Sequence, residues 1–115
     1  MKKRRSVPNP LERRHVLSED INRDDALSIA EAYMEEGRVL DSLAFFDKAG
    51  ALDRLQSLLV ESVEAGDVFL FRAVCSVLGS EASDVQWRAL GEAAKSQGKL
   101  TYFAEADRQV KALKK

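Results

Sequence analysis

Residues 37–50 read GRVLDSLAFFDKAG, a short apolar segment between two glycines. Its apolar residues recur three or four positions apart: Val39, Leu40, Leu43, Phe46 and Ala49. That spacing is the period of a helix with one buried side. Glycine readily adopts the left-handed conformation that ends a helix, so Gly37 and Gly50 mark the limits of this one. The adjacent Phe45 and Phe46 are predicted to point to different sides of this helix. Phe46 is expected to pack within its own hairpin, and Phe45 against a neighbouring surface. Exposure of Phe45 would mark an interface.

A second helix is predicted immediately before this segment. Asn22 is a favourable N-cap, and Asp24 and Asp25 follow in the first turn, where the helix dipole favours negative charge. The apolar period continues through Tyr33 and stops at Gly37. Two helices joined so closely are expected to be antiparallel neighbours.

The same pattern recurs twice along the chain. The third helix ends at Gly66, the fourth at Gly79 and the fifth, capped by Ser83 or Asp84, at Gly98. Gly37, Gly66 and Gly98 are 29 and 32 residues apart. The prediction is an all-α fold of about six helices in three stacked antiparallel helical hairpins, an α-solenoid. The hairpins cover about 22–50, 51–79 and 83–113 within a single domain 18–115, and the nearly all-apolar fourth helix, 67–78, is expected in the middle.

The first hairpin resembles a tetratricopeptide repeat. The resemblance rests on six positions: Ile29, Ala30, Tyr33, Gly37, Phe46 and Ala49. The third hairpin carries Trp87-x-x-Leu90-Gly91, the opening signature of that family, although Phe103 stands where the family prefers a small residue and Asp107 where it prefers an aromatic one. The segment around Phe45–Phe46 is also similar to the shorter hairpins of clathrin and coatomer-type repeats. The resemblance implies a right-handed superhelix.

The same resemblance implies a scaffold or adaptor that binds a peptide or a helix of a partner protein. Its inner surface would be formed by the first helix of each hairpin. The groove-facing positions carried over from the family are Leu27, Glu31 and Met34 in the first hairpin, Gln56, Val60 and Val63 in the second, and Arg88, Glu92 and Lys95 in the third. The alternative is that these nine are ordinary surface or core-edge residues.

Charge divides the chain unequally. Residues 1–15 hold six basic side chains against one acidic, a net of +5, whereas residues 16–115 hold 12 basic and 18 acidic, a net of −6. Both prolines lie in the basic segment and oppose helix and sheet, so 1–17 is expected to be a mobile arm. It could contact nucleic acid or an anionic membrane. The candidate residues are Lys2, Lys3, Arg4, Arg5, Arg13 and Arg14. The alternative is that the arm folds back on its acidic body.

Several functional classes lack the residues they need. There is one cysteine, Cys75, and one histidine, His15, too few for a zinc site of four protein ligands. No nucleophile has a neighbouring base and no glycine-rich phosphate loop is present, so no enzymatic activity, cofactor, metal or small-molecule substrate is expected. Cys75 is interpreted as a small buried hydrophobe rather than a redox thiol. With no apolar run near 18 residues and no signal peptide, the protein is expected in the cytoplasm.

The sixth helix leaves the oligomeric state open. It carries Tyr102, Phe103, Ala106 and Val110, more apolar surface than one neighbouring helix covers. A homodimer through this end of the repeats is a further expectation.

Overall fold

The computed structural model describes residues 7–18 and 21–113, and over these residues the chain is helical with no strand. The helices are α1 (Pro10–Ser18), α2 (Arg23–Glu35), α3 (Val39–Lys48), α4 (Leu52–Ala65), α5 (Val68–Leu78), α6 (Asp84–Ser96) and α7 (Leu100–Leu113). The all-α prediction is confirmed. The described residues hold seven helices where six were expected. None of these helices is both long and apolar enough to cross a membrane.

The additional helix, α1, lies in the segment where the prolines were expected to oppose helix formation. Pro10 is its first residue, a position where the missing N–H costs nothing and the fixed φ suits a helix. The Asn9 side chain accepts a hydrogen bond from the Glu12 N–H (2.9 Å) and donates one to the Glu12 carboxylate (2.9 Å). Asn-Pro-Leu-Glu therefore starts a helix, and the expectation that the prolines oppose helix formation in this segment was wrong.

The predicted helix ends are confirmed. Positive φ angles occur at Gly37, Gly50, Gly66, Gly79 and Gly98. The Asn22 side chain caps α2 by accepting from the Asp25 N–H (2.8 Å). Of the two candidate caps for α6, Ser83 is the one used, in a reciprocal capping box with Gln86.

The chain forms two compact units, and the boundary lies inside α4, between Leu55 and Gln56. In the first unit α2 packs against α3. Its buried side chains include Ile29, Tyr33, Leu43, Phe45, Phe46 and Leu55. Phe46 is buried as predicted, and Phe45 is buried as well, with its ring centroid 5.6 Å from that of Tyr33.

The second unit contains the remainder of α4 with α5, α6 and α7, and in it α6 packs against α7. Its buried side chains include Leu58, Leu59, Phe71, Val74, Trp87, Leu90 and Ala106. Trp87 packs edge-on against Phe71, with 4.9 Å between ring centroids, as expected for a structural tryptophan.

The α5 helix is less enclosed than its composition predicts. Val68, Phe71 and Val74 are buried on one side, whereas Phe69 is 67% exposed. The Phe69 ring makes an edge contact with Tyr102 of α7, at 5.8 Å between centroids. The helix expected in the middle of the repeats is therefore buried along one face only.

Candidate partner-binding site

None of the nine side chains predicted to face a partner is fully buried. Leu27 is 38% exposed and Val60 is 56% exposed. The other exposed members of the set are Gln56, Arg88, Glu92 and Lys95. Glu31, Met34 and Val63 are half-buried. All nine therefore reach the surface to some degree.

Two of the three residues in the first hairpin also contribute to its packing. The Glu31 carboxylate forms an ion pair with Arg54 (2.8 Å), whose guanidinium lies 5.3 Å from the centre of the Phe46 ring. The Met34 sulfur lies 3.5 Å from the hydroxyl of the buried Ser42. Of the two apolar residues predicted in the first hairpin, Leu27 and Met34, Leu27 is the more exposed.

The second and third sets lie on helices whose C-terminal ends meet. The Gln97 amide donates to the Glu64 carbonyl (3.0 Å), and the Lys99 ammonium donates to the Ala65 carbonyl (2.6 Å). These bonds satisfy carbonyls of the last turn of α4 that lack helical partners. Gly66 is packed so closely on Ala94 that a Cβ there would lie 2.6 Å from the Ala94 backbone. The end of α6 is thereby fixed against the end of α4.

A shallow cleft of about 390 Å³ runs along α6 and α7. Its lining residues are Trp87, Arg88, Gly91, Glu92, Phe103, Asp107 and Val110. Gly91 and Ala106 bring the two helices close, because a Cβ at Gly91 would stand 3.3 Å from the Ala106 Cβ. Two predicted residues, Arg88 and Glu92, thus line a concave surface. The third, Lys95, adjoins it with its ammonium 5.4 Å from the Phe103 ring centre.

The rim of this cleft carries both signs of charge. Arg88 lies 3.8 Å from the Asp84 carboxylate, and Asp107 is paired with Lys111 at 3.0 Å. All four side chains are about half exposed or more. Exposed pairs of this kind contribute little to stability. Both pairs remain open to solvent.

Sequence reasoning found the α6 side of the cleft and missed the α7 side. The carried-over positions came only from the first helix of each hairpin, so Phe103, Asp107 and Val110 were not among them. A signal was present, since Phe103 and Asp107 are the two positions where the third hairpin departs from the repeat pattern.

A second depression, of about 420 Å³, lies between α5 and α7 and includes Cys75. Cys75 is half-buried, and burial raises the pKa of its thiol. Because the thiolate is the reactive form, this environment suits a packing residue better than a redox centre.

A charged cluster joins α5 to α7 beside that depression. The Glu105 carboxylate accepts from Gln109 (3.0 Å), contacts Arg72 and pairs with Arg108 (2.7 Å). Hydrogen bonds from Gln109 and then Arg72, followed by the nearby positive charges, lower the pKa of Glu105 below its ordinary value. The cluster serves to hold α5 and α7 together.

The basic residues predicted to contact a polyanion are only partly within the described chain. Lys2, Lys3, Arg4 and Arg5 lie outside the described residues. Arg13 donates to the Asp41 carbonyl (3.1 Å), a contact of the kind the folded-back alternative predicts, whereas Arg14 is exposed. Within residues 7–18 and 21–113, no group of three or more His, Cys, Asp or Glu side chains is placed to hold a metal ion.

Comparisons of the chain with models of protein families, with curated proteins and with solved structures give no match.

Proposed function

We propose that the protein is a non-catalytic interaction module, a tetratricopeptide-like adaptor or scaffold that binds a peptide or helix of a partner protein. The observation that supports this proposal is the α6–α7 cleft, where the apolar surface of Phe103 and Val110 lies within a rim of Arg88, Glu92 and Asp107. A mixed rim around an apolar floor is typical of surfaces that bind proteins.

The chemistry of the cleft favours a peptide over a metabolite. Small-molecule sites enclose most of their ligand and orient it with a few convergent polar groups. Here the polar groups stand on the rim, and two of them already have ionic partners on their own helices. An amphipathic segment could place apolar side chains against Phe103 and exchange charges with the rim.

The alternative function is tethering to nucleic acid or an anionic membrane through the basic segment. Of the two described arginines in that set, Arg13 is engaged with the Asp41 carbonyl and only Arg14 is exposed. This arrangement reduces the basic surface that the folded part offers to a polyanion, so we place protein binding first.

The test is co-purification with the tagged full-length chain from its native host, at low and moderate salt and with nuclease. Three chains are compared: wild type, Glu92→Lys in the cleft and Asp47→Lys on the exposed side of α3. The two variants make the same change of charge at exposed helical sites, so a difference between them reports position rather than net charge.

A stoichiometric protein partner that resists nuclease and moderate salt, is lost with Glu92→Lys and is kept with Asp47→Lys would support the proposal. A partner retained equally by both variants would exclude the cleft. Nucleic acid that salt releases would favour the tethering alternative instead.

A further inference from the structure

The face of the α2–α3 hairpin beneath α1 is an aromatic surface that Arg13 of α1 covers together with Arg38, whose guanidinium lies 4.9 Å from the centre of the Tyr33 ring. Tyr33 and Phe45 are fully buried. The Arg13 guanidinium lies 5.4 Å from the centre of the Tyr33 ring and 5.2 Å from that of Phe45. The same group donates to the Asp41 carbonyl (3.1 Å). One side chain therefore combines two cation–π contacts with a directed hydrogen bond.

The α1 helix that carries this arginine is short. It has nine residues, and isolated helices of this length are marginal in water. Val16 and Leu17 are only half-buried, and Leu11 is 78% exposed. The helix therefore depends on its docking, and a short helix with little buried apolar surface belongs to the part of the fold that opens at low cost.

Tyr33 gives an independent reason to expect opening. Its hydroxyl is buried and has no hydrogen-bond partner among the described residues. A buried polar group without a partner is unfavourable compared with the same group in water. A state in which this face meets water or a different ligand would relieve that cost.

We propose that α1 is an intramolecular ligand and that the Tyr33–Phe45 face binds an amphipathic helix of another protein in its place. The seated helix defines the chemistry of that partner: an arginine followed by apolar residues three and four positions later, as in Arg13, Val16 and Leu17. Residues at this spacing share one side of a helix, the usual arrangement of anchors for a helix in a groove.

Competition with α1 makes this binding adjustable. The apparent dissociation constant of a partner helix equals its intrinsic value divided by the fraction of molecules in which α1 has left. Any change that weakens α1 therefore strengthens partner binding. This face belongs to the first unit and shares no residue with the α6–α7 cleft, so the inference does not depend on the proposed function.

The test uses a fluorescent peptide of residues 7–21, whose binding to full-length chains is followed by anisotropy. Two chain variants weaken α1 in different ways: Arg13→Ala removes the ring contacts and the hydrogen bond of that side chain, and Asn9→Ala removes the helix cap without altering the face. Arg14→Ala is the matched control, because Arg14 is the exposed neighbour of Arg13. Circular dichroism verifies that each chain keeps its helical content.

We expect Arg13→Ala to raise the affinity for the peptide about tenfold and Asn9→Ala to raise it about fivefold. Arg14→Ala should match the wild type, and a peptide carrying its own Arg13→Ala change should bind much more weakly. Equal affinities for all four chains, or no binding to any, would overturn the proposal. Concentration-dependent dimers of the Arg13→Ala chain, measured by sedimentation, would instead make a second copy the occupant and overturn the assignment to another protein.

Discussion

The tight contact between Gly66 and Ala94 in the second unit predicts a large effect for Gly66→Ala. Gly66 has φ +64°, and a Cβ there would meet the Ala94 Cα and N at 2.6 Å. A side chain in the left-handed region costs about 1–2 kcal/mol. Displacing a packed backbone costs about 1–3 kcal/mol more. The expected loss in the free energy of unfolding is therefore about 2–5 kcal/mol.

Gly98→Ala supplies the matched control for this prediction. Gly98 has φ +74° in the same unit, and a Cβ there would meet nothing within 4 Å. It should lose only the backbone contribution, about 1–2 kcal/mol. Denaturant unfolding followed by the fluorescence of Trp87, the one tryptophan of the chain and a residue of the same unit, measures both. Equal losses in the two variants would refute a rigid contact between Gly66 and Ala94.

Three other predictions concern the surface and titration of the second unit. Val60→Glu should weaken partner binding about tenfold or more and leave thermal unfolding unchanged, because Val60 is more than half exposed. Val63→Glu should weaken binding and also lower the melting temperature, since Val63 is half-buried. Unchanged partner binding in both variants would remove this part of α4 from the site. The wild type should lose stability as the pH falls from the ordinary pKa of a glutamate toward the lowered pKa of Glu105, because in that range the unfolded chain binds the proton and the folded chain does not. In Glu105→Gln the free energy of unfolding should depend less on pH in that range, and identical pH profiles for the two chains would contradict the prediction. The Cys75 thiol should react with a disulfide reagent more slowly than free cysteine at neutral pH, with its rate rising at a higher pH, because burial raises its pKa; a rate equal to that of free cysteine would show that the thiol is not held in this environment.

The parts of the fold that could be predicted are those decided by local chemistry. Glycines at the ends of apolar periods gave every helix end from Gly37 to Gly98, because a left-handed residue is required there whatever the helices pack against. The N-cap at Asn22 could be predicted for the same reason. The exposure of Phe69 could not, since α5 has apolar residues on several faces and only its neighbours decide which face is covered.

Residues on the α6 side of the candidate site could be predicted and those on the α7 side could not, for a related reason. Arg88 and Glu92 line the α6–α7 cleft and came from the resemblance to a repeat family. Phe103 and Asp107 line it too, yet they occupy positions where the family pattern is broken, and a pattern cannot assign a role to a residue that departs from it. The departure is itself informative, because a large side chain in place of a small one alters how closely a neighbour can pack on α7.

Counting charges in the sequence takes no account of how arginines are used within the fold. The described structure places several guanidinium groups over buried aromatic rings: Arg13 over Tyr33 and Phe45, Arg38 over Tyr33 at 4.9 Å, Arg54 over Phe46 and Arg72 over Trp87 at 5.6 Å. An arginine used in this way covers a ring with its planar head and keeps its charge at the surface. It still counts as basic in the sequence, although much of its binding capacity is already used within the fold. The net charge of the first 15 residues therefore overstates the cationic surface offered to a polyanion, and Arg13 is better tested as a ligand of Tyr33 and Phe45 than as a ligand of phosphate.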